Sequence, residues 1–351
     1  MDLATYLNLS VKEQASDLHI SPGSPPILRI NGDLVAVQDA PVLDANMTRD
    51  LIYSVMTQDQ QKIFESALEI DFNVILPSPD NQASFRANAF HQVDGRSAVF
   101  RVIPSEIPTL EKLGTPPIIK QLLDLSNGLI LITGPTGCGK SSTLAAMVEY
   151  INIHHPCHII TIEEPIEFKH KRIKSIISQR QVPGDTSSFS SALRSALRED
   201  PDIILVGEMR DLETIRMALT AAETGHLVMA TLHTSSAPRA VSRIVDVFPA
   251  GEKNIIKNVL SESLQAVICQ ILVKTIAGGR VAVHEIMLGT HAIRNLIRED
   301  KIPQMYSTIQ TGSELGMTTM EQSFKKLIDQ KIISIEAAHE SGFQRELFEK
   351  S

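Results

Sequence analysis

The chain has 351 residues and a mass of 38.6 kDa, and 43% of its residues are hydrophobic, which is enough for two domains with buried cores. A net charge of −8 and a pI near 5.8 argue against a globally basic nucleic-acid binder. Three cysteines without CxxC spacing argue against a disulfide scaffold and a four-cysteine zinc site. The sequence shows no signal-peptide pattern and no run of 18 apolar residues, so we expect a reduced, intracellular, soluble α/β protein.

The first hundred residues predict a small α+β module. Alternating apolar residues at 27–30, 70–74 and 98–102 are typical of strands, and the pattern at 47–66 is helical. Turn signals separate these segments at 21–23, 31–33 and 77–80. The stretch from Pro104 to Pro117 contains four prolines and little apolar periodicity, so we interpret it as a linker.

The residues after the linker predict a mostly parallel sheet with helices on both faces. Strand patterns occur at 129–133, 158–162, 203–206 and 227–232, and helical patterns occur at 141–153, 187–198, 211–223 and 237–247. Strands that alternate with helices are typical of βαβ units. From about residue 250 the pattern is mainly helical, apart from a short strand at 281–286 that follows the Gly278-Gly279 turn.

A phosphate-binding loop follows the first of these strands. Residues 134–141 match the pattern G-x-x-x-x-G-K-[ST], with an apolar strand before them and a helical pattern after them. Such a loop directs backbone N–H groups at phosphate oxygens, while Lys140 would bridge the β- and γ-phosphates and Ser141 would ligate Mg²⁺. The residues predicted to bind nucleotide here are Gly134, Pro135, Thr136, Gly137, Cys138, Gly139, Lys140, Ser141 and Ser142.

Three more polar side chains follow predicted strands. Glu163 follows the strand at 158–162, Glu208 follows the strand at 203–206, and His233 follows the strand at 227–232. The carboxyl ends of parallel strands meet at one edge of a sheet, beside the phosphate loop. Carboxylates there could hold Mg²⁺ or deprotonate the attacking water, and an imidazole could sense the γ-phosphate.

At this point the sequence resembles a known family. The segment from Leu197 to Asp211 (LREDPDIILVGEMRD) resembles the signature of secretion-type hexameric ATPases, the motors of type II secretion and type IV pili. The resemblance extends to a glutamate box at 162–165 and a histidine box at 225–234. Residues 16–19 and 26–33 are similar to the family's N-terminal PAS-like domain, and 292–299 (AIRNLIRE) resembles the C-terminal motif of its pilus-retraction members.

The resemblance implies a PAS-like domain over 1–103, a linker over 104–117, a RecA-like ATPase core over 118–290 and a helical C-terminal region over 291–351. It also implies a homohexamer that binds ATP and Mg²⁺ at the cytoplasmic face of the inner membrane. Its implied partners are the inner-membrane platform protein of the pilus machine and a paralogous retraction ATPase, with no nucleic acid. By analogy Glu208 is the Walker B acid, which holds Mg²⁺ directly or through water, Glu163 assists the water, and His226 and His233 read the nucleotide state.

Family members also bring arginines from the N-terminal domain to the nucleotide. Arg86 and Arg101 lie in matching segments and are the candidates here. Where the family often has a further arginine this chain has Asp94, and Arg96 follows two residues later. An arginine in this role would stabilise charge on the phosphoryl group that is transferred.

Cys138 stands where the loop usually has serine. A thiol near a helix N-terminus would have a lowered pKa, and its oxidation would then hinder nucleotide access. The alternative is a small side chain that faces away from the phosphates, because the backbone of such a loop binds the ligand.

Three other functions remain as alternatives to a pilus-retraction motor. A pilus assembly or type II secretion motor would use the same chemistry with a different mechanical output, but the additional N-terminal domain and tetracysteine site of the assembly motors are not visible. A nucleic-acid translocase is disfavoured by the acidic charge and by the lack of an aromatic and basic stripe. The third alternative is a nucleotide sensor that binds its ligand but does not hydrolyse it.

Overall fold

The computed structural model describes residues 2–77, 82–103 and 106–342. Residues 78–80 of a predicted turn, residues 104 and 105 of the predicted linker, and the end of the predicted C-terminal region from residue 343 lie outside the described residues. The chain divides into two compact units, Met1–Glu106 and Ile107–Ser351. No helix in the described ranges combines the length and the apolar character that a bilayer crossing requires.

The N-terminal unit is an antiparallel sheet with helices against one face. Its described elements are α1 (Leu3–Lys12), β1 (Asp17–Ile20), β2 (Ile27–Ile30), β3 (Asp33–Ala36), α2 (Ala45–Tyr53), α3 (Gln58–Ala67), β4 (Glu69–Pro77), β5 (Gln82–Gln92) and β6 (Gly95–Ile103). The strand order is β3-β2-β1-β6-β5-β4. Alternate residues of the strands, such as Phe85 and Phe100, are fully buried against Phe64 of α3 and other helix residues.

The helix predicted over 47–66 is two helices in the structure. Thr57 separates them because its hydroxyl oxygen accepts the N–H of Gln60, while the Gln60 side chain accepts the N–H of Thr57. This capping box starts α3 as a separate helix.

The C-terminal unit has a seven-stranded sheet with helices on both faces. Its described strands are β7 (Gly128–Thr133), β8 (His158–Glu163), β9 (Ile176–Gln181), β10 (Ile203–Val206), β11 (Leu227–Leu232), β12 (Leu264–Lys274) and β13 (Arg280–Leu288). Its described α-helices are α4 (Ile118–Leu123), α5 (Lys140–His154), α6 (Phe189–Ala196), α7 (Leu212–Glu223), α8 (Ala237–Asp246), α9 (Lys253–Ser263), α10 (His291–Arg298), α11 (Met305–Thr311), α12 (Met320–Asp329) and α13 (Ile335–Glu340).

The strand order is β13-β12-β7-β11-β10-β8-β9, and β13 is antiparallel to its neighbour β12 while the other neighbours are parallel. Leu129 and Leu131 of β7 pack against helices α6 to α11 on one face, and Ile130 and Ile132 pack against α4 and α5 on the other. This arrangement confirms the predicted parallel sheet between helical layers. Because both faces of β7 are buried, its sequence is an almost continuous apolar run.

The region after residue 250 departs from the prediction. It contains the long hairpin of β12 and β13, whereas the sequence analysis expected mainly helix with one short strand. β12 was missed because α9 ends at Ser263 and β12 begins at Leu264, so that no turn signal marks the change. Leu110, inside the predicted linker, is buried against the α4 and α5 side of the sheet.

Candidate nucleotide site

The loop over residues 134–139 joins the end of β7 to the start of α5. Gly134, Gly137 and Gly139 have φ angles of 140°, 77° and 89°, in the region that favours glycine. Within the described residues, no side chain caps the N-terminus of α5 by a hydrogen bond. The first N–H groups of that helix, with their partial positive charge, therefore suit an anion.

Lys140 folds back over the loop. Its Nζ donates to the carbonyl oxygens of Gly134 at 2.8 Å and Pro135 at 2.9 Å. Ser141 is exposed and Ser142 is half-buried in the first turn of α5, while Pro135 and Thr136 are exposed on the loop. The cation and the hydroxyl that a nucleotide phosphate and Mg²⁺ require are thus both within this loop and the following turn.

Glu208 and His233 meet at the same edge of the sheet. The Oε1 atom of Glu208 lies 3.2 Å from Nε2 of His233, and Oε2 lies 2.7 Å from the Arg210 guanidinium. Burial by itself would raise the pKa of Glu208, but the hydrogen bond from Arg210 and the neighbouring charges of His233 and Arg210 lower it overall. Glu208 therefore stays ionised and suited to hold a cation.

Backbone contacts between β10 and β11 bring these two side chains together. The Thr231 hydroxyl donates to the carbonyl of Gly207, and the N–H of Met209 donates to the carbonyl of Thr231 at 3.1 Å. Because β11 lies between β7 and β10, the pair lies next to the strand that leads into the phosphate loop.

Glu163 is at the end of β8, the strand beyond β10. It accepts hydrogen bonds from the Thr161 hydroxyl at 2.6 Å and from Gln179 at 3.2 Å. Burial nevertheless raises the pKa of its carboxyl. A carboxylate with a raised pKa is a better proton acceptor than an ordinary one, as a general base requires.

His226 does not lie at this edge. It precedes β11, and its backbone carbonyl accepts the N–H of Gly128 at the amino end of β7. Six residues at about 3.3 Å each place it about 20 Å from the phosphate loop along the strand. His226 is therefore far from the phosphate loop of its own chain, and its role as a reader of nucleotide state stays a prediction.

Cys138 is buried, with a relative exposure of 3%. Burial raises the pKa of its thiol, and this effect exceeds the opposing influence of the Lys140 charge. The expectation of a lowered pKa is wrong, because the side chain packs inward instead of facing solvent at the helix terminus. The structure favours the alternative of a small side chain that faces away from the ligand.

Arg86 and Arg101 belong to the N-terminal unit, where they are cross-strand neighbours on β5 and β6. Directly opposed residues of an antiparallel pair lie on the same face. Arg101 donates to Asp17 at 2.9 Å, yet its side chain remains 66% exposed. Their role at a nucleotide stays a prediction.

Sequence reasoning missed three residues that contact the predicted acids. Arg210 contacts Glu208 at 2.7 Å and Glu164 at 3.5 Å, and Thr161 and Gln179 bind Glu163. Arg210 lies within the signature at 197–211 and could have been assigned from it. Gln179 comes from the edge strand β9, which no pattern had indicated.

Known proteins resemble the chain over nearly all of its length. The profile of the family described as type II/IV secretion system protein matches residues 2–339. The type IV pilus retraction ATPase PilT of Pseudomonas aeruginosa is 56% identical over 342 residues, which cover 97% of this chain and 98% of that protein. A twitching motility protein of Neisseria gonorrhoeae is 54% identical over 89% of this chain and 83% of its own length.

A solved structure has the same fold. The crystal structure of the pilus retraction motor PilT with bound ADP matches with a TM-score of 0.86 and 44% identity, and the match covers 100% of both chains. Together with the family profile, these relatives confirm the resemblance drawn from the signature, glutamate and histidine segments. The chain belongs to the type II/IV secretion system protein family.

Proposed function

We propose that this chain is a motor subunit that hydrolyses ATP, with Mg²⁺, to ADP and phosphate and so powers type IV pilus retraction and twitching motility. The observation that carries the chemical part is the position of the Glu208–His233 pair at the edge of the sheet where β7 enters the phosphate loop. His233 follows β11, the neighbour of β7, and Glu208 follows β10, the next strand. The mechanical part is supported by relatives that are named as a retraction ATPase and a twitching motility protein.

The predicted domain identities belong to this proposal. We assign residues 1–103 to a PAS-like domain, 104–117 to a linker, 118–290 to a RecA-like ATPase core and 291–351 to a helical region with the retraction-type motif. The working form is a homohexamer at the cytoplasmic face of the inner membrane. Its partners are the platform protein of the pilus machine and a paralogous retraction ATPase.

The residues around the loop fit a nucleotide and Mg²⁺. Among the described residues, the partners of the Lys140 ammonium are two carbonyl oxygens of its own loop and, at 3.9 Å, the Cys138 sulfur. The ammonium can exchange these carbonyls for phosphate oxygens. Ser141 and Glu208 are the proposed ligands of Mg²⁺, which would neutralise charge on the phosphates. Gly137 has open space around it, so that a phosphate can approach its backbone closely.

Glu163 and His233 have separate roles in this proposal. Glu163, with its raised pKa, orients the attacking water and accepts its proton. His233 links the γ-phosphate to Glu208 through the contact of 3.2 Å, and so reports whether ATP or ADP is bound.

Arg86 and Arg101 complete the proposed site. Both project from one face of the N-terminal sheet, and Arg101 is largely exposed. We assign them to stabilise the charge that develops on the γ-phosphate. Such a contact would couple neighbouring subunits of the hexamer.

Deletion of the gene and complementation with variants tests this function. We expect the deletion strain to lose surface motility while it keeps excess pili, and Glu208→Gln to fail to restore motility. The matched control is Glu223→Gln, which changes an exposed glutamate at the end of α7 and should restore motility fully. Cells without pili would indicate an assembly motor instead, and unchanged motility would contradict the proposal.

A further inference from the structure

Gln270 of β12 lies beside the phosphate loop although it is 136 residues away from Gly134 in sequence. The pairing of β12 with β7 ends at Cys269 and Thr133, so Gln270 is the next residue, next to the start of the loop. Its relative exposure is 1%. A Cβ atom at Gly134 would collide with the Gln270 carbonyl oxygen, so the two backbones are in close contact.

The Gln270 side chain connects the last part of the phosphate loop to the first turn of α5. Its Nε2 donates to the carbonyl oxygen of Cys138 at 2.8 Å, and its Oε1 accepts from the Thr143 hydroxyl at 3.0 Å. Both hydrogen bonds are buried. Because a carbonyl oxygen can only accept, the amide has one orientation that satisfies both partners.

These bonds determine which way the loop's peptide groups point. In a trans peptide the C=O and the N–H point in opposite directions. When Gln270 holds the Cys138 carbonyl on the β12 side, the N–H of Gly139 in the same peptide points to the other side. The bond to Thr143 meanwhile anchors the first turn of α5, which supplies further N–H groups.

We propose that Gln270 is a positioning residue for the nucleotide: it holds the phosphate loop and the start of α5 in the conformation that binds phosphate. This inference rests on the proposed ATPase function. Gln270 need not touch the ligand, because it acts through the Cys138–Gly139 peptide and Thr143. Loss of the Gln270 amide leaves the buried Cys138 carbonyl without its donor, and the loop can then adopt other conformations. Because part of the binding energy of ATP is then used to restore the binding conformation, the apparent affinity for ATP falls.

Equilibrium ATP binding by Gln270→Met tests the proposal, with Gln265→Met as the matched control. Gln265 lies at the start of β12 and also donates to a backbone carbonyl, that of Asn127, at 3.2 Å. We expect the Kd of Gln270→Met to rise about tenfold, or about 1.4 kcal/mol, and that of the control to stay within about twofold. The rate at saturating ATP should stay within about twofold of the wild type, because the amide acts on binding.

An equal Kd for Gln270→Met and wild type would overturn the inference, as would an equal loss in the control. If the wild type itself does not bind ATP, the proposed function fails instead. The two failures are therefore distinguishable.

Gln270→Glu supplies a second readout, the pH dependence of ATP affinity relative to wild type, which a general loss of stability would not produce. This variant tests the proposal if Gln270→Met does not fold. An ionised carboxylate cannot donate to Cys138, whereas a protonated one can. Burial raises the pKa of a carboxyl toward neutrality, and His284, which faces position 270 from β13, has a pKa lowered by burial to about 4 and so carries no charge that would oppose this rise. Relative to wild type at the same pH, ATP binding should be about tenfold weaker near pH 8 and within about threefold near pH 5.5. A ratio that does not change with pH would contradict the proposal.

Discussion

His284 should make the stability of the β12–β13 hairpin depend on pH. It lies on β13 directly opposite Gln270, with a relative exposure of 2%. Its Nε2 has no hydrogen-bond partner among the described residues, and burial lowers the pKa of the imidazole from 6.5 to about 4. The hairpin therefore holds His284 in its neutral form, whereas the opened strand lets it take up a proton below about pH 6.5.

The sign and size of the effect follow from this pKa. Because the folded pKa is the lower one, the stabilisation is complete above the unfolded pKa of 6.5 and is lost as the pH falls toward 4. The full difference corresponds to about 3 kcal/mol, and about 2 kcal/mol of it is lost between pH 7 and pH 5. Such a loss is a substantial part of the stability of an ordinary domain.

Amide hydrogen exchange over residues 264–288 measures this effect locally, once the rates are corrected for the intrinsic pH dependence of exchange. Protection in the wild type, taken relative to His284→Phe at the same pH so that the neighbouring Glu285 acts equally in both, should fall about twentyfold from pH 7 to pH 5. In His284→Phe, which keeps a ring but cannot titrate, most of that pH dependence should disappear even if overall protection is lower. Equal pH dependence in the two proteins would refute the argument that His284 is buried in its neutral form.

Three further predictions concern the site and the helix that carries the retraction-type motif. Lys140→Ala should weaken ATP binding at least about hundredfold by calorimetry, because it removes the cation proposed for the phosphates, and an unchanged Kd would contradict this role. Burial raises the pKa of Glu163, so kcat should fall with decreasing pH at a higher pH than the ordinary carboxyl pKa of 4.5 would give. Glu163→Gln should lose most activity together with that acid limb, and an acid limb that persists would exclude Glu163 as the base. Arg294 donates to the carbonyls of Ser261, Glu262 and Gly289, so Arg294→Ala should cost about 1–3 kcal/mol of stability. Arg298 is exposed on the same helix, so Arg298→Ala should cost less than about 1 kcal/mol of stability. Equal melting temperatures for the two variants would contradict the stabilising role of the hydrogen bonds from Arg294 to the three carbonyls.

The central strands of the C-terminal sheet were predictable because both of their faces are buried. β7 and β11 are buried throughout and mostly apolar, and they have polar turns at their ends, so that their limits are visible in the sequence. The edge strand β9 has the sequence IISQRQ and is only partly buried, and it gave no comparable signal. β12 follows α9 without a connecting turn, so its apolar run was interpreted as part of a helical region.

The candidate site was predictable where its residues lie at strand ends that the neighbouring sequence reveals. Glu163 ends β8, Glu208 lies two residues after β10 and His233 directly follows β11, and the structure places all three at the carboxyl edge of these parallel strands. His226 precedes β11 and so lies at the opposite edge of the sheet, although the same histidine box includes His233. The contact of Gln270 with Cys138 spans 132 residues, and no local pattern predicts such a contact.

The most direct test of the central claim is phosphate release from ATP by the purified chain, with and without Mg²⁺. The account predicts steady release that requires Mg²⁺, that is abolished in Lys140→Ala, and that nearly stops in Glu208→Gln while this variant still binds ATP. A wild-type chain that releases no phosphate, or a Glu208→Gln variant that turns over at the normal rate, would contradict the assignment of this loop and its neighbouring acids to ATP hydrolysis.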